Sequence, residues 1–270
     1  MNITFIGGGN MASALIGGLL QQDFSPAQLC VVEISPEGRE KLQNAFSVQT
    51  VADLARGAAH GEVIVLAVKP QQLSALAREL APLLENHLVI SIAAGIRATD
   101  ICRWLGGHSR IVRAMPNTPA LIGAAVTGLY AMPGVTSEEK HDAEAVLGAV
   151  GSVLWVEREE LLDAVTAISG SGPAYVFYFI EAMQSAAREL GLTPTQARQM
   201  SIDTVLGAAR LAGASSEDAA VLRARVTSPG GTTERAIASL EHDGVKSAIT
   251  RAIQAASQRS KELADEFGSA

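Results

Sequence analysis

The sequence predicts an α/β protein in which a doubly wound parallel sheet, in residues 1–158, is followed by an all-helical domain, in residues 159–270. Three observations lead to this fold class. Short apolar runs alternate with helical patterns in the first part, as in parallel sheets with helices on both faces. The runs at 63–68 and 88–93 are apolar throughout, which is typical of strands covered on both faces. Beyond residue 159, strand patterns end and helix-forming residues dominate.

The individual elements follow from these patterns. Strands are predicted at 2–6, 29–33, 47–51, 62–68, 87–93, 110–114, 125–131 and 152–156. Helices are predicted between them at 11–22, 36–45, 71–84, 98–105 and 137–149. In the second domain, helices are predicted at 159–168, 173–190, 194–212, 216–225, 232–241 and 243–266, because glycine, proline and serine clusters separate them.

Composition excludes several classes of function. The net charge is −7 and the basic residues are scattered, which argues against a nucleic-acid partner. Cys30 and Cys102 lie in apolar surroundings, as reduced thiols of a cytoplasmic protein do, and no metal-ligand spacing is present. Residues 1–22 lack the basic start of a signal peptide, and no run is suited to spanning a membrane. We therefore expect a cytoplasmic protein without a metal, a membrane or a nucleic-acid partner.

A glycine-rich turn directly follows the first predicted strand. Gly7, Gly9 and Ala12 fit the pattern G-x-G-x-x-G/A, and an apolar helical pattern continues to Leu20. A strand, a glycine turn and a helix in this order form the pyrophosphate cradle of a Rossmann-type fold, because the helix N-terminus offers free N–H groups. The candidate cofactor-binding residues here are Ile6, Gly7, Gly8, Gly9, Asn10 and Met11. The alternative is a glycine turn that binds no ligand.

The end of the second predicted strand bears on the type of dinucleotide. Glu33 lies 24 residues beyond Gly9, where a carboxylate favours the free ribose 2′-hydroxyl of NAD. Ser35 and Arg39 follow, however, and a hydroxyl with a guanidinium can hold the 2′-phosphate of NADP. A solvated glutamate at a strand end is the third interpretation. The choice between NADH and NADPH stays open.

Three further strand ends should line the same crevice, since ligands of doubly wound sheets bind outside the carboxyl ends of the strands. They contribute Ala67, Val68, Lys69 and Pro70 after the fourth strand, Ala93, Ala94 and Gly95 after the fifth, and Asn117 after the sixth. Lys69 is open to three interpretations: a cofactor contact, a member of a proton relay, or a strand-end charge. The two prolines around Asn117 would fix its backbone, although a plain loop also uses Pro and Asn.

Two polar segments precede helices in the second domain. Residues 169–175 and 226–233 combine hydroxyl side chains and glycines with a helix start, where N–H groups can bind an anion. The alternative for each is a helix cap within a turn. The helices also carry many small residues, and a helical domain of this size often completes its core by forming a dimer.

Six motifs together resemble the pyrroline-5-carboxylate reductase family over essentially the full length of the chain. They are Phe5-Ile-Gly-Gly-Gly-Asn-Met11, Ala67-Val-Lys-Pro70, Ala93-Ala-Gly95, Arg113-Ala-Met-Pro-Asn-Thr-Pro119, Ser169-Gly-Ser-Gly-Pro-Ala-Tyr-Val176 and Ser228-Pro-Gly-Gly-Thr-Thr233. The resemblance implies reduction of (S)-1-pyrroline-5-carboxylate to L-proline with NADPH or NADH. Residues 6–11, the Lys69 loop, residues 93–95 and Asn117 would contact the cofactor. A carboxylate at Glu33 departs from members with a small or neutral polar residue there, which weakens an inference to strict NADPH use.

The resemblance also implies a substrate site in the second domain. Its residues would be Glu217, Ser228, Gly230, Gly231, Thr232 and Thr233. Ser228 and the N–H groups of Gly231 and Thr232 would bind the substrate carboxylate, and the hydroxyl of Thr233, the catalytic residue, would face the ring nitrogen. Glu217 falls close to where many members carry an acidic residue. An interlocked homodimer, and in some members a decamer, is implied as well.

Two other functions remain as alternatives. Dehydrogenases of the β-hydroxyacid type use a catalytic lysine one or two turns into the substrate-domain helix, but no lysine occurs between Ser169 and Leu211. A non-catalytic sensor that retained the cofactor fold would not need the segment 228–233. Both alternatives therefore fit the sequence less well than the reductase.

Overall fold

The computed structural model describes residues 1–268 and contains one eight-stranded sheet. The strands are β1 (Ile3–Ile6), β2 (Leu29–Val32), β3 (Gln49–Val51), β4 (Val63–Leu66), β5 (Leu88–Ser91), β6 (Ile111–Met115), β7 (Ala125–Ala131) and β8 (Gly151–Trp155). Their order across the sheet is β3-β2-β1-β4-β5-β6-β7-β8. The predicted α/β class and each of the predicted strands are confirmed.

One pair of neighbouring strands departs from the parallel arrangement of the rest of the sheet. β7 runs antiparallel to β6, whereas the other neighbours are parallel. Only a short 3₁₀ turn (Thr118–Ile122) and a few residues connect these two strands. This connection is too short for the crossover that a parallel pair requires, so the chain turns back beside β6.

The helices agree closely with the predicted segments. In the first part they are α1 (Asn10–Gln21), α2 (Pro36–Phe46), α3 (Leu54–Ala58), α4 (Pro70–Leu80), α5 (Ala98–Trp104) and α6 (Ser137–Gly148). In the second part they are α7 (Leu161–Val165), α8 (Gly172–Glu189), α9 (Pro194–Gly213), α10 (Ala219–Arg225), α11 (Thr232–His242) and α12 (Val245–Gly268), with a π-helical turn (Thr166–Gly170) after α7. The short helix α3, which the Asp53 side chain caps, was not predicted.

Both faces of the sheet are covered. Alternate side chains of the strands belong to two separate clusters, one packed against α1 and α6 and the other against α4 and α5. Phe5 and Leu15 belong to the first cluster, Leu66 and Leu73 to the second, and all four side chains are fully buried. This two-sided burial explains the continuous apolar runs of β4 and β5.

The chain divides into two compact units. The sheet unit comprises Met1–Ser171 together with the chain from Ala255 onward, and the helical unit comprises Gly172–Gln254. The predicted boundary after residue 158 thus lies before the division at 171, and it stays a prediction. In the helical unit, Ala197 and Ser201 alone are buried among the described residues.

No described helix combines the length and apolar composition needed to cross a membrane.

Candidate active site

Gly7 makes the tight turn at the end of β1. It adopts φ +100°, and its N–H donates to the Val32 carbonyl at 2.9 Å. A Cβ atom there would lie 2.8 Å from the carbonyl oxygen of Ala67, on the adjacent strand end. Because both the left-handed φ and this close approach exclude a side chain, the turn requires glycine.

Gly9 presents open backbone to the crevice at the start of α1. A Cβ atom there would meet no other atom within 4 Å, and no side chain caps the first turn of the helix. The first-turn N–H groups and the helix dipole are therefore available to an anion. This arrangement fits the pyrophosphate of a dinucleotide.

A crevice of about 790 Å³ lies at the carboxyl ends of β1, β2, β3 and β4. Its lining residues are Ile6, Gly7, Gly8, Gly9, Val32, Glu33, Ile34, Ala52, Asp53, Leu54, Ala67, Val68, Lys69, Gln72, Leu76 and Glu79. The volume falls within the range of cofactor pockets. The structure therefore brings together the glycine turn, Glu33 and the Ala67–Lys69 segment, as the sequence predicted.

The Glu33 carboxylate is fixed by backbone donors. One oxygen accepts the N–H of Gly8 at 3.1 Å, and the other accepts the N–H of Ser35 at 2.9 Å. The Ser35 hydroxyl caps α2 by accepting the Gly38 N–H at 3.1 Å. Glu33 thus faces the crevice, while Ser35 serves the start of a helix and does not line the crevice.

The loop after β5 packs against the C-terminal end of α12. Gly95 adopts φ +72°, and a Cβ atom there would lie 3.0 Å from the Cβ atom of Leu263. Arg97 forms a salt bridge with Asp265 at 2.5 Å. The end of α12 thereby fixes the conformation of the Ala93–Gly95 segment, although these residues are not among those lining the crevice.

In the helical unit, residues Ser228–Gly231 form a tight turn before α11. The Gly231 N–H donates to the Ser228 carbonyl at 3.0 Å, and Gly230 adopts φ +70°. Proline at the second position and a left-handed glycine at the third are the features of a type II turn. No side chain caps α11, so the N–H groups of Thr232 and Thr233 stand at an open helix start.

This loop already holds a carboxylate. The Gly230 N–H donates to the Glu234 side chain at 2.7 Å. The Thr233 side chain is half-buried, whereas Ser228 and Thr232 are exposed. Beside this internal pair, the uncapped N–H groups at the start of α11 and the partly desolvated Thr233 hydroxyl suit a small carboxylate ligand.

Comparisons with known proteins cover both parts of the chain. Residues 159–263 match the family model described as pyrroline-5-carboxylate reductase dimerisation. Residues 2–95 match the model described as NADP oxidoreductase, coenzyme F420-dependent. A pyrroline-5-carboxylate reductase of Pseudomonas aeruginosa is 45% identical over 267 residues, which cover 98% of this chain and 98% of that protein. The chain belongs to the pyrroline-5-carboxylate reductase family.

Solved structures of this family share the fold. A pyrroline-5-carboxylate reductase from Coxiella burnetii superposes with a TM-score of 0.93 at 45% identity, covering 97% of this chain and 98% of that chain. The Plasmodium falciparum pyrroline carboxylate reductase with NADP bound superposes with a TM-score of 0.88 at 28% identity, with 98% of each chain covered. Use of a nicotinamide dinucleotide is thus supported for the reductase family, and the predicted family is confirmed.

Some residues expected at the reductase site have protein partners here. The Asn117 amide donates to the Ser169 carbonyl and accepts the Val126 N–H, both at 3.0 Å. It therefore fixes the loop after β6, and a cofactor contact there would use the backbone. In the helical unit, the Glu217 carboxylate forms a salt bridge with Arg225 at 2.5 Å. Its role in substrate binding stays a prediction, as do the roles of the other site residues.

Lys69 lies exposed at the start of α4, where it precedes Pro70 and provides no side-chain cap. Its position on the rim of the crevice is compatible with a contact to an anionic cofactor. Asp53 and Glu79 also line the crevice but were not predicted. Asp53 had a usable signal in the sequence, because it lies two residues beyond the end of the third predicted strand.

An ion pair between β6 and the segment after β8, largely shielded from solvent, was also not predicted. Arg113 on β6 and Glu159 approach within 2.9 Å, and their side chains are only 6% and 13% exposed. The same carboxylate oxygen accepts the N–H of Ala98 at the start of α5, at 2.6 Å. Glu159 thus connects β6 to α5. A charged residue within an apolar strand was the available signal for this pair.

Proposed function

We propose that this protein reduces (S)-1-pyrroline-5-carboxylate to L-proline with a hydride from NADH or NADPH. The observation that carries the proposal is the near-complete coverage of named reductases at 45% identity. The glycine cradle and the Ser228–Thr233 loop support it, because they provide sites for a dinucleotide and for a small carboxylate. A nicotinamide dinucleotide, when bound, supplies the hydride.

The residues of the cradle hold the cofactor in this proposal. The open N-terminus of α1 binds the pyrophosphate, and the close turn at Gly7 keeps β1 and β4 in register beneath it. Glu33, Lys69 and the Ala93–Gly95 segment complete the contacts that the family resemblance assigns. The backbone near Asn117, fixed by the amide hydrogen bonds, is assigned to the nicotinamide end.

The substrate loop orients the imine. Ser228 and the Thr232 N–H hold the carboxylate, whereas the Gly231 N–H, which the family resemblance also assigns to it, donates to the Ser228 carbonyl in this structure. Thr233 places its hydroxyl against the ring nitrogen. Hydride addition to the C=N carbon moves the electron pair to nitrogen, which takes a proton from solvent to become the amine of proline. The imine therefore reacts while it accepts a hydrogen bond from Thr233 or, if it is already protonated, while it donates one to the Thr233 oxygen. Orientation and one hydrogen bond suffice, and no acid with a shifted pKa is needed.

We also infer that the helical units interlock as a homodimer, which can assemble into a decamer. Exposed apolar side chains in the helical unit support the dimer, since Phe177, Tyr178 and Phe179 on α8 are all more than half exposed. A cytoplasmic location is proposed as well, and the free thiols of Cys30 and Cys102 support it.

The direct test is oxidation of NADH and of NADPH in the presence of 1-pyrroline-5-carboxylate. We expect turnover with at least one cofactor, and L-proline as the product. Binding of a dinucleotide without turnover of either cofactor would contradict the proposal and favour a sensor.

The substitution Thr233→Ala tests the role of the hydroxyl. We expect kcat/KM to fall roughly tenfold to a hundredfold, because one positioned hydrogen bond to the transition state is lost. The matched control is Thr250→Ala, which removes a hydroxyl that donates to the Lys246 carbonyl on α12. Equal kinetics for Thr233→Ala and the control would refute the assignment.

A further inference from the structure

The crevice carries more negative than positive side chains. Glu33, Asp53 and Glu79 line it, and Lys69 is the cation among the lining residues. Glu33 and Asp53 follow β2 and β3, which are neighbours in the sheet, so two carboxylates stand at the same edge. In a doubly wound fold this edge receives the adenosine ribose.

The Glu33 carboxylate cannot easily rotate away from this edge. Gly8 and Ser35 each donate an N–H to a different oxygen of the carboxylate. Gly38 on α2 packs against the same side chain, since a Cβ atom there would lie 2.9 Å from Cγ of Glu33. The remaining lone pairs of the carboxylate are left to accept hydrogen bonds from a ligand, such as those of ribose hydroxyls.

The groups that could instead bind a 2′-phosphate have other partners. The Arg39 guanidinium donates to the backbone carbonyls of Glu33 at 2.7 Å and Ile34 at 2.9 Å. The Ser35 hydroxyl caps α2 and donates to the Glu37 carboxylate at 2.8 Å. Neither Ser35 nor Arg39 lines the crevice.

Glu37 adds an anion beside the start of α2. Its own backbone N–H and the Ser35 hydroxyl lower the pKa of its carboxyl below the ordinary value of 4.5, so this side chain is charged at neutral pH. The helix start that could have attracted a phosphate therefore already carries a carboxylate of the protein.

We infer that Glu33 makes this protein select NADH over NADPH. The inference rests on the proposed use of a nicotinamide dinucleotide and concerns the form that is bound. The 2′-hydroxyl of NADH donates to the fixed carboxylate, whereas a 2′-phosphate places about −1.5 to −2 charges beside Glu33 and Asp53. The Plasmodium falciparum relative whose structure holds NADP is 28% identical to this chain, so its residues at this edge need not match those of this chain.

Isothermal titration calorimetry with NAD⁺ and NADP⁺ tests the inference without any turnover. We expect the wild-type protein to bind NAD⁺ about tenfold or more tightly than NADP⁺. Glu33→Gln should reduce this ratio at least about fivefold, because the repulsive charge is removed while the side-chain shape is retained. The control Glu40→Gln changes the net charge equally at an exposed position on α2 and should leave the ratio unchanged.

Salt provides an independent readout on the wild-type protein. If the 2′-phosphate is repelled, added NaCl should move the affinity for NADP⁺ closer to that for NAD⁺, because screening weakens the repulsion. A site that holds the phosphate with cations would show the opposite trend. Equal or tighter binding of NADP⁺ by the wild type would overturn the inference, and so would an unchanged ratio in a folded Glu33→Gln protein.

The two proposals fail in different ways. Turnover of 1-pyrroline-5-carboxylate together with tighter NADP⁺ binding refutes NADH selection and leaves the reductase activity in place. Selective NAD⁺ binding without turnover refutes the activity and leaves the role of Glu33 in place.

Discussion

The sheet unit and the helical unit differ in how much of their apolar surface is buried. In the sheet unit, strands β1, β2, β4 and β5 are buried at every position. In the helical unit, α8, α10 and α11 contain no buried residue, and large side chains such as Phe177 stand exposed. The sheet unit thus has its own core, whereas the helical unit leaves large apolar side chains exposed, as interaction surfaces do.

The two parts of the candidate site show the same contrast. The cradle is defined by close backbone approaches within a packed sheet, such as Gly7 against Ala67. The loop at Ser228–Thr233 is a local turn with mostly exposed side chains. Cofactor binding should therefore depend on the intrinsic stability of the sheet unit, and substrate binding on the assembly of the helical unit.

The largest expected effect is on the stability of the sheet unit. Glu159→Ala leaves Arg113 buried without its ion-pair partner and frees the Ala98 N–H, which should cost about 3–5 kcal/mol of unfolding free energy. Urea unfolding measures the loss. The control Glu157→Ala removes an exposed carboxylate nearby and should have little effect. A loss below about 1 kcal/mol for Glu159→Ala would show that the Arg113–Glu159 pair adds no more than an exposed ion pair to the stability of the sheet unit.

A charged side chain placed in the exposed apolar surface of α8 should weaken dimer formation. Phe177→Glu should raise the dimer dissociation constant about 30-fold or more, as expected for an aromatic anchor worth at least about 2 kcal/mol. Sedimentation velocity over a range of protein concentrations measures this shift. Ile122→Glu is the matched control, because Ile122 is 82% exposed but belongs to the sheet unit. Equal dimer dissociation constants for Phe177→Glu and Ile122→Glu would contradict the claim that the helical unit, and not the sheet unit, forms the dimer surface.

The smallest expected effect concerns the glycine turn, where cofactor affinity should change while the stability of the fold does not. Gly9→Ala should leave the melting temperature unchanged, because a Cβ atom there meets nothing in the protein. It should weaken dinucleotide binding about tenfold to a hundredfold, since a methyl group forced into a filled space costs about 1–3 kcal/mol. Gly148→Ala, also in open space, is the control for both measurements. Unchanged affinity in Gly9→Ala would remove Gly9 from the site.

Patterns that extend over many residues were predictable from the sequence. The strands of the sheet unit and the long helices have a clear period, and the cradle has a motif with a fixed spacing. The short helix α3 has too few residues to show a period. The antiparallel direction of β7 follows from its short connection to β6, and the Asn117 amide holds this connection through the nearby Val126 N–H and the distant Ser169 carbonyl.

Pairing between distant charges was not predictable. Arg113 and Glu159 meet only because β6 and the segment after β8 are brought together by the sheet. The salt bridge between Glu217 and Arg225 joins residues only eight positions apart, but it depends on how the chain turns into α10. The roles assigned to Glu217, Ser228 and Thr233 come from the family resemblance and stay predictions.

The last helix has a consequence for dividing this protein into fragments. Although α12 begins in the helical unit, its end belongs to the sheet unit, where Leu263 packs on Gly95 and Ser260 donates a hydrogen bond to the buried Asp163 at 2.7 Å. The sheet unit is therefore discontinuous in the chain. A fragment that stops at residue 158 or 171 lacks the α12 side chains that cover the loop after β5, so the sheet unit cannot be excised as one continuous piece.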